Sequence, residues 1–252
     1  MISIIAVNYN TLPWMKLLVQ SVRKFTTVPH EVVIVDNFSS DGSMGWLSRQ
    51  NDIRVIALNY NAGHGAGLDL ALSTVDPIKY RFCIALDIDT HLQRKNWDSD
   101  FLNLYAKDGD IKLIAAKGDD VEKGAAANVK AKPIHACFQF FEARFFKAHN
   151  LSFKPREGHD VGRKNYFDIL GLGYKVKRIP AGYEDVEKKS KFYPGVWGDE
   201  YYIQAKPTLY HNWYSSRMYK KDKVDNLTKK EHEKRKKNVF LNEFVEDILS
   251  YE

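Results

Sequence analysis

From residue 1 to about residue 116, short runs rich in β-branched and apolar residues alternate with helix-compatible stretches. The runs fall at 2–7, 32–35, 53–58, 82–86 and 112–115. This alternation predicts an α/β fold, a Rossmann-like and mostly parallel sheet with helices on both faces. Between the first two runs, Thr11 is placed to cap a helix with Pro13 in its first turn. Trp14, Leu17, Leu18, Val22 and Phe25 then form an apolar stripe at helical spacing that should pack on the sheet.

A chain of 252 residues with 44% hydrophobic and 13% aromatic content can bury one substantial core. The opening apolar run has no basic segment before it and is far shorter than the roughly 20 residues of a membrane span. No signal peptide and no transmembrane anchor are therefore expected, and a cytoplasmic chain, peripheral at most to a membrane, fits best. Cys83 and Cys137 lie in separate apolar runs without metal-ligand spacing, which reads as buried free thiols in a reducing compartment. Three glycosylation sequons, at Asn37, Asn150 and Asn226, carry little weight without a secretion signal.

The net charge of +6 is local, because residues 217–237 hold ten Lys/Arg and four Asp/Glu and so account for all of it. That segment suits an anionic membrane surface, a phosphorylated acceptor or nucleic acid, and equally a solvated helix face. Beyond it, Phe240, Leu241, Phe244, Val245, Ile248 and Leu249 make an i, i+4 stripe after a capping-box spacing at Thr228–Glu231, predicting an amphipathic terminal helix docked on the body. In the middle, 118–132 reads as a surface loop, 134–141 as a strand, 142–149 as a short helix, 160–172 as a helix ended by Gly173, and 174–179 as a strand.

Ligands of parallel α/β sheets bind beyond the carboxyl ends of the strands. Here those ends are polar: Asn8-Tyr9-Asn10-Thr11, Asp36-Asn37-Phe38-Ser39-Ser40-Asp41-Gly42, Asn59-Tyr60-Asn61-Ala62-Gly63 and Asp87-Ile88-Asp89. No glycine-rich turn follows the first strand, which argues against dinucleotide binding, and no phosphate-loop pattern is present. Gly63-His64-Gly65-Ala66-Gly67 opens the third helix, either as a cradle for an anion or as a plain tight turn. Asp87 and Asp89, at i and i+2 after an apolar strand, would point the same way if the strand stays extended, and a divalent cation would relieve their repulsion. A turn around Asp89-Thr90 accounts for the pair equally well.

These strand ends, in this order, resemble the family 2 glycosyltransferases of the GT-A fold. The resemblance runs over roughly residues 3–217. It rests on Ser3-Ile4-Ile5-Ala6-Val7-Asn8-Tyr9-Asn10, on Val35-Asp36-Asn37 with Ser39, Ser40, Asp41 and Gly42, on Asn61, Gly63 and residues 67–72, and on the Asp-x-Asp at 87–89. One departure is Asp69, where the family more often has Asn.

The resemblance implies a nucleoside diphosphate sugar donor and a Mn²⁺ or Mg²⁺ cofactor. Val7, Asn8 and Tyr9 would line the base pocket, and Asp36 would accept hydrogen bonds from the base or ribose. Asn61 and Gly63 belong to the donor side, and Asp87 would lie near the ribose and donor sugar. Asp89 would hold the metal, with His211 completing its shell and Arg217 on the diphosphate. Phe153 to Val161 is similar to the family segment that carries the catalytic base, with Asp160 the first candidate, His159 the second and Glu157 the third; Asp160 is equally a helix cap. The aromatics Phe192, Tyr193, Trp197, Tyr201 and Tyr202 would stack on an acceptor sugar or pack in the core.

The expected activity is inverting transfer of a sugar, with a UDP-sugar favoured, to a hydroxyl of a glycan, lipid-linked or protein acceptor, a hexosyltransferase-type reaction of class EC 2.4. The rivals are a catalytically inactive nucleotide-sugar or carbohydrate binding module, a sugar nucleotidyltransferase, for which the Gly-rich loop is missing, and nucleic-acid binding, which is not expected. The expected organisation is a catalytic domain over 1–216, split into a donor half at 1–116 and an acceptor half at 117–216. A basic helical extension over 217–252, with membrane contact through 217–238, would follow.

Overall fold

The computed structural model describes residues 1–119, 132–182, 198–212, 237 and 240–251. The basic segment 217–237 apart from residue 237, the Thr228–Glu231 spacing, Arg217, Phe192, Tyr193 and Trp197 lie outside them. Most of the predicted 118–132 loop does too.

Seven strands form one sheet: β1 (Ile2–Asn8), β2 (His30–Asp36), β3 (Ile53–Ala57), β4 (Phe82–Leu86), β6 (Ile111–Asp119), β7 (Lys132–Glu142) and β8 (Lys175–Ile179), in the order β3-β2-β1-β4-β7-β6-β8. The pairings β1–β2, β1–β4, β2–β3 and β6–β8 are parallel, and β7 runs antiparallel to both neighbours. All seven residues of β1 are buried because both faces are covered. Ile2, Ile4 and Ala6 face one core with Trp14, Leu18 and Val22 of α1 (Leu12–Phe25), Leu47 of α2 (Ser43–Leu47) and Phe101 of α4 (Trp97–Ala106). Ile5 and Val7 face the other, with Leu68 and Leu72 of α3 (His64–Ser73), Phe146 of α5 (Ala143–Ala148) and Ile169 of α6 (Lys164–Gly171). The strict period of two along a strand is what sorts these side chains between the cores.

The structure corrects two local expectations and adds an element. Thr11 does not cap α1 with its side chain; its hydroxyl donates to Asn8 Oδ1 at 2.7 Å, and the free Leu12 N–H donates instead to Asp41 Oδ2 at 2.8 Å. The helix expected from residue 160 begins at Lys164, because Asp160 to Arg163 form a turn. A second, antiparallel sheet, β5 (Thr90–Leu92), β10 (Lys206–His211) and β9 (Asp199–Ile203) in the order β5-β10-β9, had no clear sequence signal.

The terminal helix α7 (Glu243–Leu249) docks as expected: Val245 and Ile248 are fully buried, Phe244 stacks on Phe25, and Lys24 pairs with Asp247 at 2.7 Å. Trp14 receives Phe240, whereas Leu241 of the predicted stripe is exposed. Cys83 and Cys137 are buried free thiols, both pushed up by burial and therefore inert. Among the described residues, no helix is long and apolar enough to cross a membrane.

Candidate active site

The polar residues after β1 and β2 are bonded to one another. Asn8, fully buried, donates through Nδ2 to Asp36 Oδ1 at 2.7 Å and to Ser39 Oγ at 2.9 Å. Asp36, equally buried, accepts the Ser39 N–H through Oδ2 at 2.9 Å. Asn10 joins the same mesh, its N–H donating to Ser39 Oγ and its Oδ1 accepting the Ser40 N–H. Asn10 and Phe38 sit at φ +53° and +66°, left-handed positions that this mesh stabilises. Val7 is buried in the core, and Tyr9 and Phe38 stand exposed at the sheet edge. After β3, Asn61 Oδ1 accepts the Gly63 N–H at 2.9 Å, and Gly63, at φ +87°, turns the chain into α3. Gly67 lets α3 lie on the end of β1, since a Cβ there would meet Val7 Cγ2 at 2.8 Å.

The acidic pair does not come from an extended strand. β4 ends at Leu86 and residues 87–90 turn tightly, with Thr90 N–H donating to Asp87 O at 2.9 Å. The carboxylates still converge, because β10 brings His211 between them: Nε2 lies 3.2 Å from Asp89 Oδ1 and 3.6 Å from Asp87 Oδ2. On its other side, Asp87 Oδ1 lies 3.3 Å from His64 Nε2, at the start of α3.

Asn212 fixes the turn from the next residue along. Its N–H and its Nδ2 both donate to Asp89 O at 2.9 Å, and Nδ2 also reaches His91 Nδ1 at 3.2 Å. Burial pushes His91 down to about 3, so it is neutral and its Nδ1 is the acceptor. His64 and Asn212 escape a reading of the sequence. His64 is hidden among glycines that draw attention to the backbone, and Asn212 is distinguished only by following His211.

Burial raises the Asp87 carboxyl, and the charges of Asp89 and Asp160 add to the effect against the counter-pull of His64 and His211. Burial also opposes charge on His211, but Asp89 and Asp87 outweigh it and raise its pKa. Ligand atoms of Asp87, Asp89 and His211 lie within 4.8 Å of one another, two carboxylate oxygens and an imidazole nitrogen. This donor set fits a divalent cation, which would relieve the repulsion between the two converging carboxylates.

Both shifts predict how the metal-free protein responds to pH. Asp87 is raised from 3.8 and His211 from 6.5, so each holds its proton more tightly folded than unfolded, and stability falls as pH rises. The His211 contribution is complete below 6.5 and is lost as pH rises through its higher folded value. With chelator present, the urea midpoint is expected to fall as pH rises above 6.5, less steeply in His211→Gln, and Mn²⁺ should restore it at the upper end, where the imidazole has lost its proton. A slope unchanged by the substitution would contradict the assignment.

The segment with the candidate bases is a tight hairpin. Arg156 and His159 exchange backbone hydrogen bonds of 3.1 and 2.9 Å across Glu157 and Gly158, both at positive φ as a two-residue hairpin turn requires. Glu157 pairs with Lys164 at 3.2 Å, and the His159 ring packs on Phe167 at 4.8 Å between centroids. Asp160 is exposed, accepts the Val161 N–H through Oδ1 at 2.8 Å, and acts electrostatically on Asp87. Tyr201 is buried in the core and donates to Asp199 Oδ2 at 3.3 Å, so it is no sugar platform; Tyr202, half-buried, bonds Glu200.

Residues 3–163 match the model of the family described as glycosyl transferase family 2. No curated protein sequence matches the chain significantly. The fold is similar to that of the mannosyltransferase PcManGT from Pyrobaculum calidifontis, solved with GDP-Man and Mn²⁺, at 14% identity and a TM-score of 0.56 over 99% of this chain and 72% of that one. It is also similar to residues 1–349 of S. aureus TarS, at 15% identity and a TM-score of 0.54 over 95% of this chain and 71% of that one. Against the same TarS fragment in complex with UDP, at 18% identity and a TM-score of 0.50, the match covers 65% of this chain and 52% of that fragment, about half its length. These neighbours share the GT-A fold.

Proposed function

Because the chain belongs to glycosyl transferase family 2, we propose that it moves a sugar from a nucleoside diphosphate sugar to an acceptor hydroxyl, with inversion and with a divalent cation. The observation that carries this reading is the convergence of Asp87, Asp89 and His211 beside the Asp160 hairpin, at the carboxyl edge of the sheet. A fold shared with structures that hold UDP, or GDP-Man with Mn²⁺, supports the same class of donor. A UDP-sugar is the favoured donor and a hexosyl group the favoured cargo. A glycan, a lipid-linked sugar or a protein is the acceptor.

In this reading Asp89 and His211 would hold the cation, Mn²⁺ or Mg²⁺, and Asp87 would serve the donor ribose and sugar. When bound, the cation neutralises charge on the departing diphosphate. Val7, Asn8, Tyr9 and Asp36 serve the nucleoside end. Exposed Tyr9 makes the direct contact, buried Asn8 and Val7 shape the loop, and Asp36 keeps a second lone pair on each oxygen for a base or ribose donor. Asn61 and Gly63 open α3 towards the phosphates, and Arg217 would reach the diphosphate. Asp160 takes the acceptor proton as the oxygen attacks the anomeric carbon opposite the diphosphate, which inverts that centre. Residues 1–216 act as the catalytic unit, and the basic segment 217–238 offers a peripheral contact with an anionic membrane.

Thermal unfolding against a panel of nucleoside diphosphates, with and without Mn²⁺, tests the donor and the cation together. A ligand at about a hundredfold over its Kd should stabilise by roughly 2.7 kcal/mol. A shift that needs both a nucleotide and the metal is expected. No shift with any nucleotide would count against the transferase, and a shift without sugar release from the matching donor would favour an inactive binding module. The anomeric coupling of the NMR-observed product reports inversion or retention.

A further inference from the structure

Helix α3 begins at His64 beside Asp87, and one of its faces carries the hairpin of the candidate base. Asp69, half-buried on that helix, accepts the Ser152 hydroxyl through Oδ2 at 2.6 Å and the Phe153 N–H through Oδ1 at 2.7 Å. One turn earlier, Gly65 lets the same segment lie against the helix, since a Cβ there would fall 2.4 Å from Phe153 O and 2.9 Å from Lys154 Cα. Residues i and i+4 share a helix face, so Gly65 and Asp69 form one seat. Phe153 O in turn accepts the Gly162 N–H at 2.9 Å, which closes the loop that contains Asp160.

A mid-helix aspartate has poor helix propensity and needs a compensating role. One side of Asp69 borders a cleft of about 430 Å³, which Leu72, Phe146 and Leu151 also line. The two hydrogen bonds to the carboxylate add direction to the packing of buried Phe153 beneath the segment. On the other side, Ser152 N–H donates to the buried Asn165 Oδ1 at 3.2 Å, which ties the segment to α6.

We propose that Asp69 is a positioning residue that seats the loop from Ser152 to Arg163 on α3, so that one rigid helix sets Asp160 relative to Asp87. The inference rests on the transferase reading for its catalytic consequence and on geometry alone for the seat. Two substitutions separate charge from hydrogen bonding. Asp69→Ala removes both bonds. Asp69→Asn keeps an oxygen for the Phe153 N–H and offers an amide donor to Ser152 Oγ.

Two measurements on the full chain decide it. The first is hydrogen exchange at the Phe153 and Gly162 amides, which should quicken roughly tenfold or more in Asp69→Ala and stay near the native rate in Asp69→Asn. The second is release of nucleoside diphosphate from the donor that the unfolding panel identifies. Here kcat should fall about 10- to 100-fold in Asp69→Ala, with donor KM and metal-dependent stabilisation unchanged, and recover in Asp69→Asn. Unchanged exchange in Asp69→Ala overturns the proposal, as does a kcat loss matched by an equal loss of donor binding. If Asp69→Ala does not fold, Ser152→Ala removes one of the two bonds and should show a partial form of both effects. If the wild-type chain neither binds nucleotides nor releases them, the transferase reading fails, and exchange still decides whether Asp69 holds the loop.

Discussion

Asp89→Ala is expected to abolish the Mn²⁺-dependent response to nucleotides and to lower sugar release by on the order of 10³-fold. The magnitude follows from a bound cation supplying several kcal/mol of charge stabilisation, at 1.36 kcal/mol per tenfold in rate. Asp89 is the member of the triad nearest His211, at 3.2 Å, and its side chain is almost fully buried. Removing it takes away the carboxylate assigned to the cation and leaves His211 as its one assigned holder, a poor match for a hard ion that prefers oxygen ligands. Asp89→Asn makes the loss specific. The Asn212 clamp grips the backbone carbonyl of residue 89, so the turn does not depend on the charge. Unfolding in urea without metal should therefore remain cooperative in Asp89→Asn while the metal response disappears. A Mn²⁺-dependent shift that survives both substitutions would remove Asp89 from the cation site.

The parts of this site that could be read from the sequence are those carried by consecutive residues. Strand-then-polar-cluster is a local pattern, so the parallel half of the sheet, its carboxyl edge and the Asp87/Asp89 pair were all legible. The way the pair converges was not. Extended geometry would also bring the carboxylates together, but the chain turns at 87–90 and relies on β10, more than a hundred residues later, to supply His211 between them. β5, β9 and β10 lack the apolar runs that mark the equally short β3 and β4, and their pairing is a tertiary fact. Asn8 shows what a linear reading leaves out. A polar residue at a strand end invites a ligand, but here its three side-chain partners all lie within the protein. Asp69 was visible as a departure from the family pattern, and only the fold shows what that carboxylate holds.

Asp160→Asn is expected to lower sugar release by roughly 10²- to 10⁴-fold, the usual range for loss of a general base, while leaving metal-dependent nucleotide binding intact. The amide is a fair replacement in every respect but basicity, because its oxygen can still accept the Val161 N–H that the carboxylate accepts at 2.8 Å. The hairpin therefore keeps its shape and the loss reports proton transfer. The two other candidates in the segment are already engaged: Glu157 with Lys164 and the His159 ring on Phe167. Glu157→Gln and His159→Ala should accordingly each cost less than about tenfold, since neither removes the group that takes the proton. Asp160 also raises Asp87, so its neutralisation relieves the acidic pair, and nucleotide binding with metal should not weaken. If His159→Ala produced the large loss and Asp160→Asn the small one, the imidazole would be the base. The carboxylate would then remain as the group that orients the hairpin and keeps negative charge near the pair.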